Sequence, residues 1–296
     1  MTGYEDRFWS SRDGLKLHFR DYAAIEGESG ESGRLPVICL PGLTRNARDF
    51  ERLAPRLAAR RRVICPDMRG RGDSEYARES ATYTPIQYGE DLLALLEQED
   101  IDRFVAIGTS LGGLMIMGLA TLMPERIAGA VINDVGPVLE PEGMERIQDY
   151  VGQGRSFPTW VHAARGIEST LGDAHPGHTL DFWIGMAKRL MTLSGNGRMV
   201  FDYDMKIAEP FAAYDVDAQP DLWPAWEALG SEVPGGRPLL VLRGEHSDLL
   251  SEATLAKMLR RVPGAEALTL PDLGHAPTLD EPEAVAVIEA LLDRAD

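Results

Sequence analysis

The chain has 296 residues, 44% of them hydrophobic, and a formal charge of −17 from 47 acidic and 30 basic side chains. It is long enough to bury a large core, and its negative charge disfavours binding to nucleic acid or to an anionic membrane surface. The sequence starts without a basic segment followed by an apolar run, and no apolar stretch approaches the ~18 residues of a membrane span. We therefore expect a cytoplasmic monomer or homodimer whose partner is a small-molecule substrate.

Strand-like apolar runs alternate with segments of helical period through the first half of the chain. A Gly/Ser/Glu loop at 26–33 precedes this region. The predicted strands are 35–40, 61–66, 103–108 and 127–134, and the predicted helices are about 46–60, about 84–98 and one that starts at 110. Such alternation is typical of a parallel sheet with helices on both faces.

The alternation is interrupted once and then resumes. From 137 to 220 the sequence contains amphipathic helical segments rich in aromatic residues and methionine, which indicate an inserted helical cap. The later predicted elements are a strand at 237–244, a helix at about 251–261, a strand at 265–272 and a helix at about 281–294. The sequence thus predicts an α/β core from 1–136 and 221–296, with a cap from 137–220.

A serine lies on a predicted sharp turn between a strand and a helix, in the motif Gly108-Thr109-Ser110-Leu111-Gly112. The run RFVAIG precedes the turn and the helical segment LGGLMIMGLATLM follows it, which is the context of a nucleophile elbow. Glycines two residues to either side leave the room that such a strained turn requires. The motif predicts Ser110 as a catalytic nucleophile.

A serine nucleophile needs a histidine base, which follows the elbow late in the chain in folds of this kind. Of the six histidines, only His275 lies on a Gly-containing loop between the last predicted strand and the last helix. His175 and His178 have the spacing of a metal pair, but no further ligand is near them in sequence, so we expect no metal. Packing or surface positions account for the other histidines, and His275 is the predicted base.

The histidine needs a carboxylate that holds its tautomer. Asp248 follows the predicted strand at 237–244, which gives the chain order Ser, Asp, His of this fold. Asp134, at the end of the strand before the insertion, is the alternative acid. The sequence favours Asp248 and leaves Asp134 open.

Two backbone N–H groups must stabilise the oxyanion of the reaction. The N–H of Leu111, directly after the nucleophile, is one expected donor, and the N–H of Leu43, in the tight turn after the strand at 35–40, is the other. The two cysteines, Cys39 and Cys65, lie in apolar runs and are expected to pack in the core. The proposed chemistry requires no cofactor.

Aromatic residues and methionines of the predicted cap are candidates for an apolar substrate pocket. Trp160, Trp183 and Met186 are the expected lining residues. They favour an uncharged, apolar ester of short or medium chain as the substrate.

Five motifs, LPGLTRNARDF, CPDMRGRGDS, GTSLGG, LRGEHSD and GHAPTLDEP, occur in an order that resembles the α/β-hydrolase family, specifically its cap-bearing esterase and lipase-like members. The resemblance covers nearly the whole chain and implies an eight-stranded, mostly parallel sheet with the active site under the cap. It assigns the segment 66–74 to a structural turn. Epoxide hydrolases and haloalkane dehalogenases have an aspartate at the elbow, so Ser110 argues against both.

The expected function is that of a carboxylesterase-type serine hydrolase that works through an acyl-enzyme. Carbon–carbon bond hydrolases of dienone acids and lactonases use the same triad, and fold alone does not separate them. A dienone acid needs a cation for its carboxylate, for which Arg165, Lys188 and Arg189 of the cap are candidates. A binding protein that has kept the fold and lost turnover is the alternative from a different class.

Overall fold

The computed structural model describes residues 3–25, 33–172, 175–212, 218–231 and 236–295. Its strands, in chain order, are β1 (Glu5–Ser10), β2 (Lys16–Tyr22), β3 (Val37–Leu40), β4 (Val63–Pro66), β5 (Phe104–Thr109), β6 (Ile127–Asn133), β7 (Ser156–Phe157), β8 (Met191–Leu193), β9 (Met199–Phe201), β10 (Leu239–Gly244) and β11 (Ala265–Leu270). Each strand predicted from the sequence is present. All but one of the loop residues at 26–33 lie outside the described residues.

Eight of these strands form the central sheet, in the order β1-β2-β4-β3-β5-β6-β10-β11. Parallel pairing joins β4 through β3, β5, β6 and β10 to β11, while β1 and β2 pair antiparallel at one edge. The central strands β3, β4, β6 and β10 are buried along their whole length, which explains their uninterrupted apolar sequences. The predicted eight-stranded, mostly parallel sheet is confirmed.

Helices flank this sheet and also make up most of the segment between β6 and β10. They are α1 (Leu53–Leu57), α2 (Pro85–Gln98), α3 (Leu111–Leu122), α4 (Pro141–Tyr150), α5 (Trp160–Leu171), α6 (Leu180–Leu190), α7 (Ala208–Ala212), α8 (Trp223–Leu229), α9 (Glu252–Arg261) and α10 (Pro282–Leu292). Side chains of α2, α3, α8 and α9 fill the core on one face, and those of α1 and α10 fill the core on the other. No helix among the described residues is both long and apolar enough to cross a membrane.

The segment between β6 and β10, called the insertion below, is not purely helical. Helices α4 to α7 are accompanied by a small antiparallel sheet in the order β7-β9-β8. Helices α5 and α6 pack on each other through Ala163, Ala164, Trp183 and Ala187, which form a separate core. Helix α8 joins the core of the large sheet instead. The division into core and cap at 137 and 220 remains a prediction.

The turn that follows β4 is built around Asp67. Its carboxylate accepts hydrogen bonds from Nδ1 of His18 at 2.7 Å and from the backbone N–H of Ala47 at 2.6 Å and Asp73 at 3.0 Å. A Cβ at Gly72 would lie 2.3 Å from this carboxylate, and Gly72 has φ +54°, so only glycine fits. These contacts agree with a scaffold role for the segment 66–74.

Candidate active site

Ser110 occupies a strained turn between β5 and α3, with φ +52° and ψ −114°. A Cβ at Gly108 would lie 2.4 Å from the backbone of Gly112, and a Cβ at Gly112 would lie 2.2 Å from the carbonyl oxygen of Leu40 in β3. Both glycines are therefore required by the close approach of the chain to itself. The turn exposes the Ser110 hydroxyl at the carboxyl edge of the sheet, as a nucleophile elbow does.

A chain of hydrogen bonds joins Ser110, His275 and Asp134. Nε2 of His275 lies 3.0 Å from the Ser110 hydroxyl oxygen, and Nδ1 lies 2.8 Å from an oxygen of Asp134. Because Nδ1 faces a carboxylate, it carries the ring proton, which leaves Nε2 free to accept the proton of the serine. The arrangement can activate a serine hydroxyl for attack on an acyl carbon.

Asp134 is held rigidly at the end of β6. The residue has φ +58° and no exposed surface, and its backbone N–H donates to Leu242 of the neighbouring strand at 2.8 Å. One carboxylate oxygen accepts from the N–H of Gly244, and the other accepts from the Ser247 hydroxyl, both at 2.8 Å. The carboxylate is thus fixed in position before any substrate binds.

The loop after β3 comes close to the serine. A Cβ at Gly42 would lie 3.7 Å from the Cβ of Ser110, so the next residue, Leu43, is beside the nucleophile. Among the described residues, neither the N–H of Leu43 nor that of Leu111 has an acceptor in the protein. Both N–H groups are therefore available as oxyanion donors, and that role stays a prediction.

An open cleft lies over Ser110 and contains about 1150 Å³ of empty space, its mouth included. Its apolar walls come largely from the insertion: Ile147, Phe157, Ile167, Leu171, Leu190 and Phe201. Its charged lining, apart from the histidine, consists of Arg45, Asp49 and Arg155. The cleft can therefore hold an apolar chain and still offer a cation to its substrate.

The sequence matches the model of the alpha/beta hydrolase family over residues 37–288. The chain belongs to the alpha/beta hydrolase family. It is 34% identical over 258 residues to the 3-hydroxybutyrate-oligomer hydrolase of Cupriavidus necator, covering 85% of this chain and 86% of the relative. It is 27% identical to the 2-(acetamidomethylene)succinate hydrolase of Mesorhizobium japonicum, with 83% of each chain covered.

Among solved structures, the chain is similar to an alpha/beta hydrolase from Novosphingobium aromaticivorans. The two share 60% sequence identity over 99% of each chain, with a TM-score of 0.91. This similarity agrees with the fold that the resemblance of the motifs implied.

In this family member, the aspartate that contacts His275 is not the one that the sequence favoured. Both carboxylate oxygens of Asp248 bind Arg146 of α4, one through Nη2 at 2.8 Å and the other through Nε. Burial opposes ionisation of Asp248, but the hydrogen bonds and charge of Arg146 outweigh it and hold the pKa of the carboxyl below its usual value. Asp134, the alternative, is the carboxylate that contacts His275.

The expected pocket residues also lie elsewhere in this alpha/beta hydrolase. Trp160, Trp183 and Met186 are not part of the cleft lining. Trp183 and Met186 fill the contact between α5 and α6, and Trp160 packs at the edge of the same core. Met186 reaches the site only indirectly, because its sulfur accepts a hydrogen bond from Nη2 of Arg45 at 3.3 Å.

The three basic residues predicted as candidates to bind a substrate carboxylate also lie outside the cleft lining. Arg165 is exposed and pairs with Glu168 at 2.6 Å, and Lys188 is exposed on α6. Arg189 is buried and pairs with Asp280 at 2.5 Å. Sequence reasoning missed Arg45 and Arg155. The position of Arg45, two residues after the predicted oxyanion donor, could have indicated the first, but nothing in the sequence around Arg155 does so.

The two histidines considered as a metal pair pack inside the insertion. The ring of His178 stacks on Phe182 with centroids 3.7 Å apart. Nδ1 of His175 faces the N–H of Gly274 at 3.5 Å, and burial together with the charge of His178 lowers the pKa of His175 to about 4. A neutral His175 thus contacts the loop that carries His275.

Proposed function

We propose that this alpha/beta hydrolase cleaves carboxylic esters through an acyl-enzyme on Ser110. The observation that carries the proposal is the hydrogen-bonded series from Ser110 through His275 to Asp134, at a strained elbow that opens into the cleft. Ser110 is the nucleophile, His275 the general base and then the general acid, and Asp134 the group that orients His275. The N–H groups of Leu43 and Leu111 are the proposed oxyanion donors.

The proposed reaction has two halves. Nε2 of His275 takes the Ser110 proton while the serine oxygen attacks the acyl carbon, and the two N–H groups stabilise the oxyanion that forms. The oxyanion collapses, the bond to the leaving alcohol breaks, and His275 protonates that alcohol. Water then gives a proton to His275 and attacks the acyl carbon. Breakdown of the second oxyanion releases the carboxylic acid and returns the proton to Ser110.

Hydrolysis of p-nitrophenyl esters from acetate to decanoate tests this function, together with labelling by a fluorophosphonate. We expect turnover, a single covalent adduct on Ser110, and loss of both in Ser110→Ala. Turnover of dienone acids without ester hydrolysis would favour the carbon–carbon hydrolase instead. A wild-type protein that hydrolyses no ester faster than Ser110→Ala, and takes no label, would support the binding protein.

The substrate class that we propose is a short oligoester of hydroxy acids, one end of which is a free carboxylate. The relative from Cupriavidus necator, which is named for hydrolysis of 3-hydroxybutyrate oligomers, supports this class, as do the apolar cleft walls. Arg155 in the cleft lining supports a substrate that has a carboxylate at one end. Arg45 is engaged by Asp49 at 2.8 Å, whereas Arg155 has no carboxylate partner among the described residues. This proposal replaces the expectation of a wholly uncharged ester.

Arg155→Gln tests that assignment. For a 3-hydroxybutyrate trimer with a free carboxylate, we expect kcat/KM to fall about five- to tenfold, because Arg155 is exposed and an exposed charged hydrogen bond contributes about 1 kcal/mol. The methyl ester of the same trimer should be hydrolysed at an unchanged rate by the variant. Arg165→Gln, which removes an exposed arginine outside the cleft, is the matched control. If the wild type hydrolysed the acid and the methyl ester at equal rates and still cleaved p-nitrophenyl esters, the carboxylate-binding role of Arg155 would be contradicted. The proposed ester hydrolysis would stand.

A further inference from the structure

Arg71 lies beneath the loop that carries the proposed oxyanion donor. Its side chain has no exposed surface, and its Nε donates a hydrogen bond to the carbonyl oxygen of Leu43. The guanidinium carbon lies 4.4 Å from the centroid of the Tyr88 ring, which packs against it as a cation–π partner. The side chain of Arg71 thus links the structural turn after β4 to the backbone of Leu43.

This arginine is buried without a compensating negative charge. Its Nη1 and Nη2 have no hydrogen-bond acceptor among the described residues, and no carboxylate there lies within ion-pair distance. Arg69, two residues earlier and equally buried, is paired with Asp91 at 2.6 Å and with Asp13 at 2.9 Å. Burying an unpaired cation is costly, so a fold selected only for stability is not expected to keep one. The position of Arg71 suggests what the cation contributes.

We propose that Arg71 is a positioning residue of the oxyanion hole, an inference that rests on the proposed ester hydrolysis. The carbonyl that it binds belongs to the same residue as the donating N–H of Leu43. Holding the carbonyl restricts rotation of the Leu43 backbone and keeps its N–H directed at the oxyanion. The positive charge behind the loop also favours negative charge on the oxyanion, since a fixed cation in a poorly solvated site is weakly screened.

The turn after β4 also forms backbone hydrogen bonds with the insertion. The N–H of Gly72 donates to the carbonyl of Asp202 at 3.1 Å, and the N–H of Asp204 donates to the carbonyl of Gly70 at 2.7 Å. Between them Arg71 forms an isolated bridge with Tyr203, which lines the cleft. The backbone of Arg71 is therefore fixed by the insertion while its side chain fixes Leu43.

The experiment compares Arg71→Met and Arg71→Lys with the wild type in hydrolysis of p-nitrophenyl butyrate and in binding of butylboronic acid, which forms a tetrahedral adduct with a serine nucleophile. In Arg71→Met we expect kcat to fall about 10–100-fold with KM changed less than about threefold, a smaller loss than the ~10²–10³ for deleting a direct donor. Affinity for the boronic acid should fall in parallel with kcat. Arg71→Lys, which keeps the charge and loses the planar fork, should lie between the two.

Arg237→Met is the matched control, because Arg237 is also buried and also donates to backbone carbonyls, including that of Ile127 at 2.8 Å, away from the cleft. It should lower the free energy of unfolding and leave kcat and boronic acid affinity unchanged. A folded Arg71→Met with kcat and boronic acid affinity within about threefold of wild type would overturn the proposal. If Arg71→Met does not fold, Arg71→Lys decides instead, and a kcat and boronic acid affinity equal to those of the wild type would overturn the proposal. Absence of Ser110-dependent ester turnover in the wild type would count against the proposed function instead.

Discussion

Asp134→Asn is expected to lower kcat for ester hydrolysis about 10³–10⁴-fold, because an amide neither stabilises the imidazolium nor selects the tautomer that accepts the serine proton. The carboxylate of Asp134 lies 2.8 Å from Nδ1 of His275 and is itself fixed by Gly244 and Ser247. The substitution keeps the size of the side chain, so the fold should survive. Steady-state rates with p-nitrophenyl butyrate measure the loss, and circular dichroism checks the fold.

Asp248→Asn is the matched comparison, since it makes the same chemical change at the other carboxylate near His275. Asp248 is bound to Arg146 and makes no hydrogen bond to His275, so we expect kcat to stay within about tenfold of wild type. The variant should lose stability instead, because Arg146 is left with a weakened partner. A reversal of the two effects on kcat would assign the acid to Asp248 and contradict the arrangement seen here.

The sequence predicts Ser110 as the nucleophile and His275 as the base because the evidence for each prediction is local. The glycine–serine–glycine pattern around Ser110 is complete within five residues, and His275 is the histidine that lies on the loop before the last helix. The positions of the buried strands along the chain are also readable, since buried parallel strands have continuous apolar sequences. These features depend on near neighbours in the chain.

The choice between Asp134 and Asp248 depends on contacts far apart in sequence. Both residues follow neighbouring strands, β6 and β10, so both loops bring a carboxylate to the same edge of the sheet. Arg146 engages Asp248 only because α4 docks there, with the N–H of Gly143 donating to the carbonyl of Asp248 at 3.1 Å. Sequence periodicity does not reveal where a helix of an insertion docks.

The same limit explains why the residues predicted to line the pocket lie outside the cleft. Trp183 and Met186 lie on the apolar face of α6, and an apolar face can pack against another helix or line a cavity. In this protein that face meets α5, and α5 in turn borders the cleft through residues such as Gly166, Ile167 and Thr170. Hydrophobicity identified the buried face of the helix correctly, but it did not identify the partner that covers it.

Gly112→Ala is expected to lower the free energy of unfolding by about 3 kcal/mol or more, the upper part of the range for overpacking in a core. The added Cβ would lie 2.2 Å from the carbonyl oxygen and 2.8 Å from the carbonyl carbon of Leu40. Both are backbone atoms of β3, a central strand, so no side-chain rotation relieves the clash. Relief requires α3 to move away from β3, which displaces Ser110 and the N–H of Leu111 together. We therefore expect esterase activity to fall along with stability.

Gly118→Ala is the control for this prediction, because Gly118 lies on the same helix and a Cβ there would meet nothing within 4 Å. That substitution should raise the free energy of unfolding by about 0.5–1 kcal/mol, since alanine loses less backbone freedom than glycine on forming a helix. Urea unfolding of the two variants and the wild type gives both values, and p-nitrophenyl butyrate hydrolysis gives the activities. A Gly112→Ala protein as stable and active as Gly118→Ala would mean that α3 does not approach β3 this closely, and the steric basis of the elbow would fail.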